Sequence, residues 1–202
     1  VDAKVRATKF VELSERVVLD NERCILCSRC VRFVAEVSGS HSLGIQHRGD
    51  GSLLRPVEDG AFARDPYSEN VVDICPVGAL TSTRFRFAER VWYLDKNPTI
   101  STGCDVGCNI TLEHKHGAIK RYKPRQNPDV NDFWMCDFGR STHERYREVP
   151  RLAFPQIRRS GELAATGWKE AIDHVAHNLR SRRSEGVIAF LGSGFLSTEE
   201  AF

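Results

Sequence analysis

The spacing of apolar residues changes character several times along this chain. Arg16-Val17-Val18-Leu19-Asp20 is a β-branched run that predicts a strand, and Asn21-Glu22 turns the chain after it. From Cys30 the period becomes helical, with Val31, Val34 and Val37 on one face, until Ser38-Gly39-Ser40 ends it. Leu43 to Arg48 and Leu53 to Val57 flank Gly49-Asp50-Gly51-Ser52, the pattern of a β-hairpin. Ser68 is placed to cap a brief helix over Glu69 to Ile74, which must stop near Cys75 because Pro76 disfavours helical geometry in the residue before it. Val1 to Glu15 reads as a connecting arm.

Beyond Thr83 the texture shifts. Arg84 to Leu94 is aromatic and basic, and Asn97-Pro98 closes it, which puts a boundary near residue 95. Short strands are expected at Cys108 to Leu112, Ala118 to Tyr122 and Trp134-Met135-Cys136, with a turn-rich Pro124 to Pro128 between them. Trp168, Ala171, Ile172, Val175 and Leu179 then recur at helical spacing after Thr166-Gly167. Val187 to Leu191 is an uninterrupted apolar run, the mark of a strand buried on both faces of a parallel sheet. Gly192-Ser193-Gly194 reads as the turn after it, and Ser197-Thr198-Glu199-Glu200 as the opening of another helix, so the chain reads as a segment of a longer polypeptide. The expected class is α+β in three parts: a compact module over 1–95, a small β-rich domain over 96–148, and the start of an α/β domain over 149–202.

Composition narrows the chemistry mainly by exclusion. With 41% hydrophobic and 28% charged residues the 202-residue chain has soluble globular composition. The balance of 29 Lys+Arg against 27 Asp+Glu, a formal +2, gives no basic excess for nucleic acid. Asp2, Lys4, Arg6 and Lys9 interrupt any early signal-like run, and no later stretch approaches a membrane span.

The seven cysteines change the picture. They are odd in number and tightly spaced in a chain with no export signal, which favours metal ligation over disulfides. Cys24-x2-Cys27-x2-Cys30 with a distant Cys75-Pro76 is a ligand set for a cubane [4Fe–4S] cluster: three thiolates reach three irons from one loop, and the fourth comes from elsewhere. A two-cluster ferredoxin would carry a further cysteine at position 34, where this chain has Val34. The competing reading is a structural zinc, although zinc sites usually present two separate C-x2-C pairs. Arg23, Arg29 and Arg32 lie near the loop and could favour a reduced, more negative cluster; the alternative is that they are simply solvated.

A second set, Cys104-x3-Cys108-x27-Cys136, lacks a fourth thiolate, and Ser101 occupies the position where one would fit. A cluster completed by Ser101 or water, a three-iron cluster, an empty site and a zinc all remain open. An alkoxide is a harder donor than thiolate, so the set is not counted as functional. His41, His47, His114, His116, His143, His174 and His177 have no ligand pattern around them and read as surface or structural. Gly192-x-Gly194 lacks the third glycine of a dinucleotide fingerprint, position 197 being Ser197.

With both sets in view, the stretches Val17 to Phe33 and Asn70 to Ser82 closely resemble the large iron–sulfur subunit of NADH:quinone oxidoreductase, respiratory complex I. The resemblance implies that Cys24, Cys27, Cys30 and Cys75 hold one [4Fe–4S] centre in a ferredoxin-like module, one link in a wire from flavin to quinone. Ser101 to Arg140 is similar to the small β-rich iron–sulfur domain of molybdopterin oxidoreductases, and Arg151 to Phe202 to the start of their α/β domain. The family implies a respiratory-chain NADH dehydrogenase in which this segment transfers electrons without a substrate-turnover site. Its implied partners are the other hydrophilic-arm subunits: the flavin and NADH-binding subunit, and the iron–sulfur subunits on the quinone side. It also implies a peripheral place on the cytoplasmic face of a bacterial inner membrane, or on the matrix side in mitochondria.

The alternative is the N-terminal part of an NAD-linked formate dehydrogenase or a related molybdenum or tungsten enzyme. Ser101 and Phe138 weigh against it, since such enzymes keep four cysteines and commonly a basic residue after the last one. An iron-only hydrogenase subunit shares the first module but fits the later half badly.

Overall fold

The structure, a computed structural model, describes residues 8–184, 186–193, 196 and 199. They fall into two compact units, Val1–Glu144 and Arg145–Phe202.

In the first unit, β1 (Val11–Glu12), β2 (Val17–Leu19) and β5 (Leu80–Ser82) form a three-stranded antiparallel sheet with β2 in the centre. Between β2 and β5 the chain makes α1 (Arg29–Glu36), the hairpin β3 (Leu43–Gln46) and β4 (Leu53–Pro56), and the short helices α2 (Ala61–Arg64) and α3 (Asn70–Ile74). The β-branched run at β2, the helix after the triplet and the glycine hairpin all form as their residues predict. β1 does not follow the expectation of a connecting arm; Val11 and Glu12 pair with Leu19 and Val18.

The core gathers Leu13, Val17, Leu19, Phe33, Val34, Leu43, Leu54, Phe62, Val71, Ala79 and Leu80. Burying each large side chain contributes roughly 1.5–3 kcal/mol. Of the expected face of α1, Val34 is buried and Val31 packs against the core, while Val37, at the helix end, is exposed; Phe33 takes the remaining buried place and packs on Trp134 with ring centroids 4.7 Å apart. Ser68 is not a cap for α3, because its hydroxyl donates to Asp137 Oδ2 at 2.7 Å.

A second sheet follows, β6 (Asp95–Ile100), β7 (Asn109–Lys115) and β8 (Ala118–Pro124), antiparallel throughout. Asn97-Pro98 lies inside β6 and closes nothing; β6 is an edge strand, where a residue without an N–H is tolerated. Trp134-Met135-Cys136 is irregular, not a strand, and leads into α4 (Asp137–Glu148).

In the second unit β9 (Gln156–Arg159) and β10 (Glu162–Ala165) make a hairpin turning at Ser160-Gly161, both with positive φ. α5 (Trp168–Arg182) forms where the period predicts it, but Trp168, Ile172 and Val175 on its apolar stripe are exposed. Val187 to Leu191 is not in a strand: no described segment pairs with it, and Val187, Phe190 and Leu191 are exposed. Gly194, and Ser197, Thr198 and Glu200 of the expected final helix, lie outside the described residues.

Candidate metal centre

The register of β2 on β5 determines where the first thiols meet. Leu19 pairs with Leu80, so the loop leaving β2 and the loop entering β5 emerge at the same end of the sheet. One carries Cys24, Cys27 and Cys30; the other carries Cys75. Asp20 fixes the start of the first loop: its N–H donates to Ala79 O at 2.8 Å, its carbonyl accepts from the N–H groups of Arg23 and Cys24, and its carboxylate accepts from Glu22 N–H. Leu26 and Ser28 then adopt left-handed backbone conformations, φ 51° and 58°, which curl the loop before Arg32 N–H closes onto Ser28 O in the first turn of α1. Cys75 is extended, as a residue before proline must be.

All four thiols line one small pocket. Its remaining walls are mostly apolar, with Ile25, Leu26, Val31, Pro76 and Val77 near the thiols and Ile45 and Leu54 contributed by the hairpin. Cys27 is exposed and the other three are partly buried. Burial pushes the Cys30 thiol up to about 11, and the neighbouring Cys24 and Cys27 add to the rise, so a bound metal would have to supply the charge that drives its proton off. Among the described residues no three His, Cys, Asp or Glu side chains converge tightly enough to hold a single metal ion. A cubane asks for something different, since each thiolate binds its own iron. Four thiols in a pocket with mostly apolar walls fit that demand.

Of the three arginines near the loop, Arg23 lies 3.5 Å from Asp20 and Arg32 3.1 Å from Glu36. Arg29 lines the thiol pocket and has no acidic partner among the described residues.

The second set converges less completely. Cys104, Cys108 and Cys136 line one pocket with Tyr67, Asn131 and Asp132. Asn131 braces it, accepting from Asn109 N–H at 2.8 Å and donating to Trp134 O at 3.1 Å. Burial raises the Tyr67 phenol, as do the three thiols beside it, and burial raises the Cys108 thiol, with Cys104 and Cys136 adding to it. Ser101 is buried at 6% exposure but does not line this pocket; its Oγ accepts from Gly103 N–H at 3.4 Å. A phenol from the first module lines the pocket with the three thiols. Tyr67 is the residue sequence reasoning missed, and nothing in its local pattern signals it.

Polar contacts link the two sets. Asn70 donates to Met135 O at 2.9 Å, Asp137 accepts from Ser68 O–H and from Glu69 N–H, and Arg140 reaches Asp73 at 2.6 Å and Asn70 at 2.8 Å. Burial alone would raise the pKa of Asp73, but Arg140 and Lys123 hold it below its ordinary value. Asp137 is raised, chiefly by burial. These contacts run from the helix that ends at Cys75 to the helix that begins after Cys136. Among the described residues no histidine lines either thiol pocket; His143 is buried against Tyr122, ring centroids 5.0 Å apart, and His114 bonds Asn97.

Residues 14–81 match the ferredoxin-like domain of NADH-quinone oxidoreductase subunit 3, and residues 96–144 the NDSU1/NuoG-like 4Fe-4S domain of NADH-ubiquinone oxidoreductase. These are iron–sulfur electron-transfer domains. The chain is 38% identical over 199 residues to subunit 3 of NADH-quinone oxidoreductase from Thermus thermophilus, covering 96% of this chain and 25% of that protein. It is 36% identical over 195 residues to the G subunit of the same enzyme from Streptomyces coelicolor (96% and 23%), and 35% identical over 209 residues to the G subunit from Mycobacterium bovis (100% and 25%). The chain belongs to the G-subunit family of NADH-quinone oxidoreductase, respiratory complex I, and spans about a quarter of the length of these curated relatives. The formate dehydrogenase alternative gives way to that membership. Among the described residues no helix is long and apolar enough to cross a membrane.

Proposed function

We propose that Cys24, Cys27, Cys30 and Cys75 ligate a single [4Fe–4S] cluster that relays one electron at a time within NADH:quinone oxidoreductase, from the NADH and flavin side towards quinone. The observation that carries this is the meeting of four thiols from two distant segments in one pocket with largely apolar walls. The cluster, when bound, supplies the one-electron chemistry. The chain's own residues do the rest. Val31 and Leu54, with Ile25, Leu26 and Ile45 at the rim, give the three partly buried sulfurs a largely apolar surround, which limits the charge reorganisation that accompanies each transfer. Arg29, with no acid beside it among the described residues, offsets the charge gained on reduction.

Cys104, Cys108 and Cys136 hold no working cluster in this reading, because the fourth thiolate is replaced by the Ser101 hydroxyl, a harder donor. The organisation that goes with it is an iron–sulfur module over 1–95, a degenerate molybdopterin-oxidoreductase-type iron–sulfur domain over 96–148, and the start of an α/β domain from 149. The donor and acceptor are the flavin and NADH-binding subunit and the quinone-side iron–sulfur subunits, in a complex whose arm is peripheral to the membrane.

Iron and sulfide analysis with EPR after reduction tests the reading. About four irons per chain supports one cluster. About eight restores a second cluster at Cys104, Cys108 and Cys136, and bound zinc in place of iron would falsify the relay.

A further inference from the structure

A cavity of about 360 Å³ lies apart from both thiol pockets, walled by the segments around Asp20, α3 and β5, by β8 and by α4. Seven of its lining residues are Arg or Lys and five are Asp or Glu. Most of these are engaged: Arg84 with Glu144 at 3.3 Å, Lys123 with Asp73 at 3.1 Å, and Arg121 with Glu113 while stacked on Phe85. Two buried polar atoms are not. Arg140 Nε and Glu69 Oε2 have no hydrogen-bond partner among the described residues, although the Arg140 side chain is only 10% exposed and Glu69 only 5%. Both residues line the cavity. Each is anchored by its other atoms: Arg140 Nη2 on Asp73 and Asn70, and Glu69 Oε1 as acceptor from Ser82 at 2.8 Å.

We propose that this cavity binds a small organic anion, whose carboxylate or phosphate oxygen is held by Arg140 Nε–H and by the Glu69 carboxyl group within a basic rim. Arg140 can only donate, so its free Nε asks for an acceptor. Glu69 can meet the same oxygen as a donor when it carries a proton, and burial raises its pKa in that direction. The charged groups that bear on Glu69 are Arg140 and Asp137 of α4 and Arg84. With Glu69 neutral the wall carries seven cations against four acids. Val72, Ala79 and Val91 supply apolar surface for the rest of the molecule, and the cavity has the size of a small-molecule site.

Calorimetric titration of the full, iron–sulfur-loaded chain with sulfate, inorganic phosphate and succinate tests the site. Saturable one-to-one binding is expected. Phosphate alone points to a phosphate ester, succinate alone to a carboxylate, and both to the shared oxyanion chemistry. Sulfate keeps its charge over the working range, so its affinity should fall as pH rises and Glu69 ionises. In Glu69→Gln, whose amide donates at every pH, that dependence should disappear while the iron content stays the same. Arg140→Lys should weaken binding by about tenfold. The proposal is overturned if no anion binds wild-type protein saturably, or if Glu69→Gln shows the wild-type pH dependence.

Discussion

The two cysteine sets share a plan and part at one residue. Each has thiols on a loop next to a strand and a lone thiol beside a helix, and in each the thiols line a common pocket. In the first pocket the fourth participant is Cys75, delivered by the pairing of β2 with β5. In the second, three thiols share the space with Tyr67, Asn131 and Asp132, and the fourth position is the buried Ser101. Spacing alone brings three donors together; a complete site depends on the donor that the fourth position carries.

The largest expected effect separates the sets directly. Cys75→Ala should remove the iron, taking about four per chain to none, whereas Cys104→Ala should leave the content unchanged. Equal losses would mean that both sets hold metal. Ser101→Cys asks whether donor type alone disables the second set. Ser101 Oγ and Cys136 Sγ both flank Gly139, at 3.7 and 3.5 Å from where a Cβ would stand, so a thiolate at position 101 is near Cys136. Iron should rise from about four to about eight per chain. No rise would place the fault in the backbone.

Asp73→Asn probes the struts between the sets. It leaves Arg140 buried without its ionic partner and should cost about 3 kcal/mol in chemical denaturation. The Asp73 pKa is depressed, so its stabilisation is full above the ordinary value of 3.8 and is lost as pH falls through the lower native value. The variant should lose that acid-sensitive component. Smallest is Arg29→Glu, which should lower the midpoint potential of the first set by roughly tens of millivolts, an effect that added salt shrinks because Arg29 is exposed.

Much of the first module is legible in local pattern. β2, α1, the hairpin and the stop before Pro76 follow from β-branching, period and turn residues. So do the four candidate thiols and the missing fourth thiolate at Ser101. The rest depends on distant contacts. α4 is hidden by Gly139 and a polar surface, and its first residue is held by Ser68 and Glu69 N–H from far along the chain. Ser68 reads as a cap because the local signal is real, but Asp137 claims its hydroxyl. β1 is too short to show a period, and it exists because β2 offers it an edge. Val187 to Leu191 shows the reverse: a strong strand pattern makes no strand where no described segment pairs with it.

The pairing of Leu19 with Leu80 also bears on how the protein is built. Bringing two loops together from so far apart carries an entropic cost, which the ladder and the core of Val17, Leu19, Val34, Leu54 and Val71 help to offset. The ladder that helps close the core therefore also aligns the thiols, so a change that slips the register of β2 on β5 would part Cys75 from the triplet without touching a cysteine.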